Sequence, residues 1–256
     1  MPQPLSRVRP VTQYTLSPNI LAEKPEFGAS ITKIIGIWSH VEAALQSLMV
    51  QILGGKEPAA IAIYSILKSQ NLQTLALDAV SDLVFKDGEQ HEILAAVLDV
   101  AATAGKIRHR FAHWLWGSTP ELPDCLLLAD PQSITRRVTL KLRWRIEPYD
   151  IDKEWTSTME RILVYKISDI ENDLARVQET AQVMHFYEDY LNPHNSESDV
   201  VAINQERKVA GHPPLTADAV AGTSAYALVR LSSVKSFQEA LERIRNPKKN
   251  IPQSPP

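Results

Sequence analysis

Ile93-Leu94-Ala95-Ala96-Val97-Leu98-Asp99-Val100-Ala101-Ala102-Thr103-Ala104-Gly105-Lys106-Ile107-Arg108-His109-Arg110-Phe111-Ala112-His113-Trp114-Leu115 is the stretch that decides the fold. Ile93, Leu94, Val97, Leu98, Ala101, Ala104, Ile107, Phe111 and Leu115 recur at three- and four-residue steps, which on a helix gathers them on one face turned toward a core. The spacing predicts a helix opening near Glu89, just after Lys86-Asp87-Gly88 has stopped the preceding one. Asp99 interrupts the apolar run from Ile93 to Ala104, and the run falls short of the ~20 residues a bilayer span needs. A buried helix of a globular domain is the expectation.

Working outward, Ile31, Ile34, Ile35, Trp38, Val41, Leu45, Leu48, Met49 and Ile52 show the same period. They predict a helix of roughly seven turns, capped by Ser30 and stopped by Gly54-Gly55. Pro58 suits the first turn of a helix running to about Ser69, and Asn71 can cap another carrying Leu72, Leu75, Val80, Leu83 and Val84. Four helices with short connections favour an antiparallel bundle over residues 29–117, preceded by a proline-punctuated, irregular arm over 1–28.

After Gly117 the texture changes. Pro120, Pro123 and Pro131 separate short apolar runs, and Val138 to Ile146 alternates with period two, placing Arg137, Thr139, Lys141, Arg143 and Arg145 on one face. Cys125-Leu126-Leu127-Leu128 and Ile162-Leu163-Val164-Tyr165 can pair with it in a small antiparallel sheet. Ser168-Asp169-Ile170-Glu171 has the form of a capping box, opening a helix to about Leu191 that buries Ile170, Leu174, Val177, Ala181 and Met184. Residues 118–191 are thus read as sheet plus long helix packed on the bundle. Residues 192–256 are read as a mostly flexible tail with one short helix near Ser236 to Arg245. The fold class expected is mainly α with a small antiparallel sheet.

The 256 residues carry 27 basic and 30 acidic side chains, a formal charge of −3, so any contact with nucleic acid must rest on a local patch. Hydrophobic content of 44% and charged content of 22% suit an ordinary globular domain. Cys125 is the single cysteine, which excludes an intrachain disulfide and a multi-thiolate zinc site. Met1-Pro2-Gln3-Pro4-Leu5-Ser6-Arg7 lacks the apolar stretch of a signal peptide. A soluble, cytoplasmic protein with no membrane partner is expected.

The chemistry concentrates at the end of the opening stretch. Arg108 supplies a permanent guanidinium and His113 an imidazole, the two groups needed to offset charge on a phosphate and move protons at a ribose hydroxyl. On a straight helix they stand about 140° apart, because each residue advances about 100°. One helix therefore brings them together only if Arg108 reaches round or the helix ends near His113. His109 and His113 share a face with the i, i+4 spacing that zinc uses, yet His40, His91, His185, His194 and His212 are scattered and nothing completes a metal site. Trp114 and Trp116 can stack on bases or fill a core or interface. Alternate residues Arg137, Lys141, Arg143 and Arg145 would meet successive RNA phosphates, and equally form the solvated face of an edge strand.

Arg108 and His113 with His109 after the Arg, together with Trp38-Ser39-His40-Val41-Glu42 upstream, resemble the Arg-x4-His proteins of the HEPN family. The resemblance runs from about Ile31 to Leu191. It implies a HEPN-like bundle, a homodimer in which two motif helices line a shared cleft, and metal- and cofactor-independent endoribonuclease chemistry leaving 2′,3′-cyclic phosphate and 5′-hydroxyl ends. His113 would act as acid or base and Arg108 on the phosphate. His109 stands where the family often has Asn, and Glu42 would fix a His tautomer. A toxin or phage-defence effector with RNA as target and a protein antitoxin as partner is one implied role. A non-catalytic RNA- or nucleotide-binding or scaffold protein is the other.

Overall fold

The computed structural model describes residues 1–8, 13–67, 69–85, 88–135, 139, 151–191 (151–154 by their backbone), 204–205, 208–209, 211, 213 and 227–247. It is mainly helical with one small antiparallel sheet, as the periodicities predict. The chain divides into two compact units. One comprises Met1–Trp38 and Ala104–Val177, the other Ser39–Thr103 and Gln178–Pro256. Three long helices, α3 (Pro25–Ile52), α6 (Gly88–His113) and α8 (Ile167–Leu191), contribute segments to both, so the units do not follow the linear boundaries at 28, 117 and 191.

The first unit holds the sheet. Its strands β1 (Gln3–Pro4), β2 (Thr15–Leu16), β3 (Leu115–Ser118), β4 (Leu126–Ala129) and β5 (Ile162–Tyr165) lie in the order β1-β5-β4-β3-β2. The lead-in expected to be irregular therefore supplies both edge strands, together with two single-turn helices, α1 (Leu5–Val8) and α2 (Ile20–Glu23). The two apolar runs, each expected beside Val138 to Ile146, pair with one another: Leu126 with Tyr165 and Leu128 with Leu163. One face of the sheet packs Leu127, Ala129, Ile162 and Val164 against Leu5 and against Met159 of α7 (Ile151–Glu160). On the other face Tyr165 meets Phe111 edge-on, ring centroids 5.3 Å apart. Burial on both faces explains why β4 reads as a continuous apolar run instead of an alternating one.

The predicted strand Val138 to Ile146 lies outside the described residues except at Thr139, where the expectation fails. Thr139 is helical, and its hydroxyl donates to the Thr135 carbonyl one turn back, at 3.0 Å. Leu115 was expected on the buried face of the motif helix. Instead α6 ends at His113, and Leu115 opens β3 with 39% of its surface exposed.

Gly117 leaves room for β2 beside this strand. The antiparallel pairing with β2 is so close that a Cβ on Gly117 would stand 2.6 Å from the Thr15 carbonyl oxygen and 2.7 Å from a Leu16 methyl. Backbone cannot yield as a side chain can. Gly117→Ala should therefore cost about 1–3 kcal/mol in urea unfolding, the range for overpacking, and an unchanged midpoint would show that β2 can shift freely.

The second unit contains the rest of the helical pattern. Leu45, Leu48, Met49 and Ile52 of α3 and Ile93, Leu94, Val97 and Leu98 of α6 are buried as expected. Gly54 and Gly55, at φ 69° and 77°, terminate α3 in left-handed turns, and their amides donate back to Gln51 and Val50. Helix α4 (Glu57–Ile66) carries Pro58 in its first turn. Helix α5 (Gln70–Val84) is capped by Ser69, whose hydroxyl accepts from the Leu72 amide, and not by Asn71. It also buries a different face from the one predicted: Leu77 and Ser81 are covered, while Leu72, Leu75, Leu83 and Val84 are exposed. Two apolar stripes compete on this helix, and periodicity alone does not say which one finds a partner. Near the C-terminus α9 (Lys235–Arg245) forms where expected, with Phe237 and Ala240 buried and Arg243 paired to Asp99 at 2.6 Å.

Candidate functional site

Helix α6 stops at His113, and the last turn gathers the motif. Arg108 Nη1 donates to His113 Nε2 at 3.4 Å. The two side chains stand on different faces of a straight helix, but the helix ends at the His and the long Arg side chain spans the remaining gap. A second copy is thus not needed to bring them together, which removes the geometric reason for expecting a dimer. Because a guanidinium offers only donors, Nε2 must accept, and the neutral ring then carries its proton on Nδ1.

His109 lies one turn before His113, with ring centroids 4.8 Å apart and planes tilted by 51°. Both imidazoles are exposed, whereas Arg108 is half-buried and its Nε is enclosed without a hydrogen-bond partner among the described residues. The result is a guanidinium seated by its base with its tip at the surface, beside two open rings. The Arg110 guanidinium, in the last turn, also complements the negative end of the helix dipole.

Arg110 turns the other way, toward a buried carboxylate that sequence reasoning missed. Its Nη2 lies 3.9 Å from Asp173, a residue of α8 only 3% exposed, and Arg176 approaches Asp173 at the same distance. Burial pushes the Asp173 carboxyl above its ordinary value, with Arg110 and Arg176 opposing the shift. Burial likewise pushes the Tyr165 phenol up; Arg110 opposes this, while Asp173 and Asp169 add to it. Asp173 sits between Ile170 and Val177 on the apolar side of its helix. A charged residue on a buried stripe was the available signal.

The sign of this shift gives a measurable consequence. Below the ordinary Asp range the carboxyl is neutral in both folded and unfolded chains and imposes no cost. As pH rises through that range the unfolded chain ionises first, and the folded state loses relative stability until its own higher pKa is passed. Unfolding by urea across pH 3 to 7, as about that range is where carboxylates titrate, should show Asp173→Asn gaining on the wild type as pH rises. A constant difference would mean that Asp173 titrates normally.

Glu42 is exposed on α3 in the second unit, where its carboxylate helps burial to raise the Tyr64 phenol. Trp114 follows the helix end and is half-buried. Trp116 pairs with Leu128 in β3, and its indole Nε1 is enclosed without a partner among the described residues, an environment closer to packing than to an open stacking platform. Arg137, Lys141, Arg143 and Arg145 lie outside the described residues. Among the described residues no group of three or more His, Cys, Asp or Glu side chains is placed to hold a metal ion, and no helix is long and apolar enough to cross a membrane. No protein-family model matches the chain, and neither do any curated protein or solved structure.

Proposed function

We propose that this protein is a metal-independent endoribonuclease of the HEPN type, with Arg108 and His113 as its catalytic pair. The observation that carries the reading is the 3.4 Å contact of Arg108 Nη1 with His113 Nε2 at the exposed end of α6, beside the ring of His109. In the free protein the guanidinium occupies the imidazole lone pair. A phosphate diester is a stronger acceptor for a guanidinium than a neutral imidazole, because the bond becomes charge-assisted on both sides. RNA binding therefore draws Arg108 onto the phosphate and frees Nε2 to take the proton of the neighbouring 2′-hydroxyl.

The 2′-oxygen then attacks phosphorus, the 5′-oxygen leaves with a proton from a second acid, and Arg108 offsets the charge that builds on the phosphorane oxygens. His109 is adjacent and can deliver that proton. The HEPN resemblance supplies the expectation of a homodimer, in which two such helix ends line one cleft, and of a toxin or defence role held in check by a protein antitoxin.

The test is incubation of purified protein with mixed RNA in EDTA, compared with an Arg108→Ala, His113→Ala double variant. Cleavage by the wild type alone, with 2′,3′-cyclic phosphate ends, is the expected result. Arg108-dependent binding without products would assign the protein to the non-catalytic branch, and chelator-sensitive cleavage would overturn the mechanism.

A further inference from the structure

The second unit holds a cleft of about 360 Å³ between the C-terminal halves of α3 and α8. That is within the roughly 300–1,000 Å³ usual for small-molecule sites. It exists because small residues face one another: Ala43 and Ala44 on α3, Ala181 on α8, with Met184 completing an apolar wall. The polar groups are His40 and Ser47 from one helix and His185 and Glu188 from the other. Their three- and four-residue spacing puts each set on one helix face.

Glu188 is the unusual member. It is half-buried, and the Ser47 hydroxyl donates to it while accepting from Gln51 Nε2 at 3.3 Å. The neighbouring Asp189 faces Arg230 and His185, each at 3.8 Å, and the Arg230 guanidinium also lies over the Phe186 ring at 3.9 Å. Among the described residues no Lys or Arg pairs with Glu188. Burial pushes its carboxyl up, Asp189 adds to this, and Ser47 and His185 only oppose it. A desolvated carboxylate with a single hydroxyl donor gains most from a cation brought to it.

We propose that this cleft binds a small organic cation of the amidinium or alkylammonium class, its N–H groups on Glu188 and its apolar body against Ala43, Ala44, Ala181 and Met184. The imidazoles of His40 and His185 line the same cleft. An anion is excluded by Glu188, and a neutral apolar molecule would leave the carboxylate without its counter-charge. None of Arg108, His109 or His113 takes part, so the inference stands apart from the nuclease reading.

Benzamidine and its neutral isostere benzamide make the decisive pair, titrated into the full chain by calorimetry with the His185 and His40 ring signals followed by NMR. Saturable benzamidine binding, about tenfold or more tighter than benzamide, is expected from one charge-assisted pair. Glu188→Gln should abolish that preference, and Ala181→Leu should fill the cleft and block binding with Glu188 intact. His113→Ala should leave both affinities unchanged. Equal binding of the two ligands, no saturable binding of benzamidine, or undiminished affinity in Ala181→Leu would each overturn the proposal. Should Glu188→Gln fail to fold, the wild-type ligand comparison and Ala181→Leu still decide it.

Discussion

His113→Ala should lower RNA cleavage by about 10²–10⁴-fold, the usual contribution of a positioned acid–base group, while leaving circular dichroism and the urea midpoint unchanged. His113 is exposed at the end of α6 and its one polar contact among the described residues, to Arg108, is long, so its removal opens no cavity and orphans no buried group there. Arg108→Ala should cost about 10²–10³-fold, comparable with losing one oxyanion donor. Arg108→Lys should recover only part of that, because a point charge cannot present a planar fork to a phosphate. A fully active, folded His113→Ala would remove the imidazole from the mechanism.

Phe111→Ala, two residues away on the same helix, should behave in the opposite way. Phe111 is wholly buried against Tyr165, which is equally enclosed. Truncation leaves a cavity behind β5 and forfeits an edge-to-face aromatic contact, at a cost of about 3–5 kcal/mol. Against a typical total of about 5–15 kcal/mol for a domain, that is a large share. The urea midpoint should fall at constant slope. Activity, measured where the variant remains folded, should fall far less than in His113→Ala. A stability loss under 1 kcal/mol, well below the roughly 2–5 kcal/mol of core truncations, would show that the sheet and helix end repack without it. The pair of variants separates chemistry from support within one helical turn.

The helices were legible because each long one shows an apolar stripe that the core largely uses. In α3 and α6 most residues at three- and four-residue steps are buried, although Ile35 is only half-buried and Ala96 and Val100 are buried off the predicted stripe. The pattern failed where a helix offers two faces, as in α5, where Leu77 is covered and Leu83 is 87% exposed. It failed again at the end of α6: Leu115 continues the helical period, yet it opens β3, which pairs with Thr15 and Leu16 of β2. The edge strands β1 and β2 carry only two residues each and leave no period to read.

Residue types and their spacing along the chain are properties of sequence, and they determined the mainly helical class, the presence of a small antiparallel sheet with strands at Leu126 to Leu128 and Ile162 to Tyr165, and the concentration of guanidinium and imidazole groups between Arg108 and His113. Tertiary structure alone decided where α6 stops, and thereby that Arg108 and His113 meet at 3.4 Å in a single copy instead of facing away from each other. It also decided that Arg110 joins a buried Asp173. The physical reason is the same in each case. Periodicity records which face of an element is apolar, whereas the end of a helix, the reach of a long side chain and the partner of a buried charge depend on residues distant in sequence that only folding brings near.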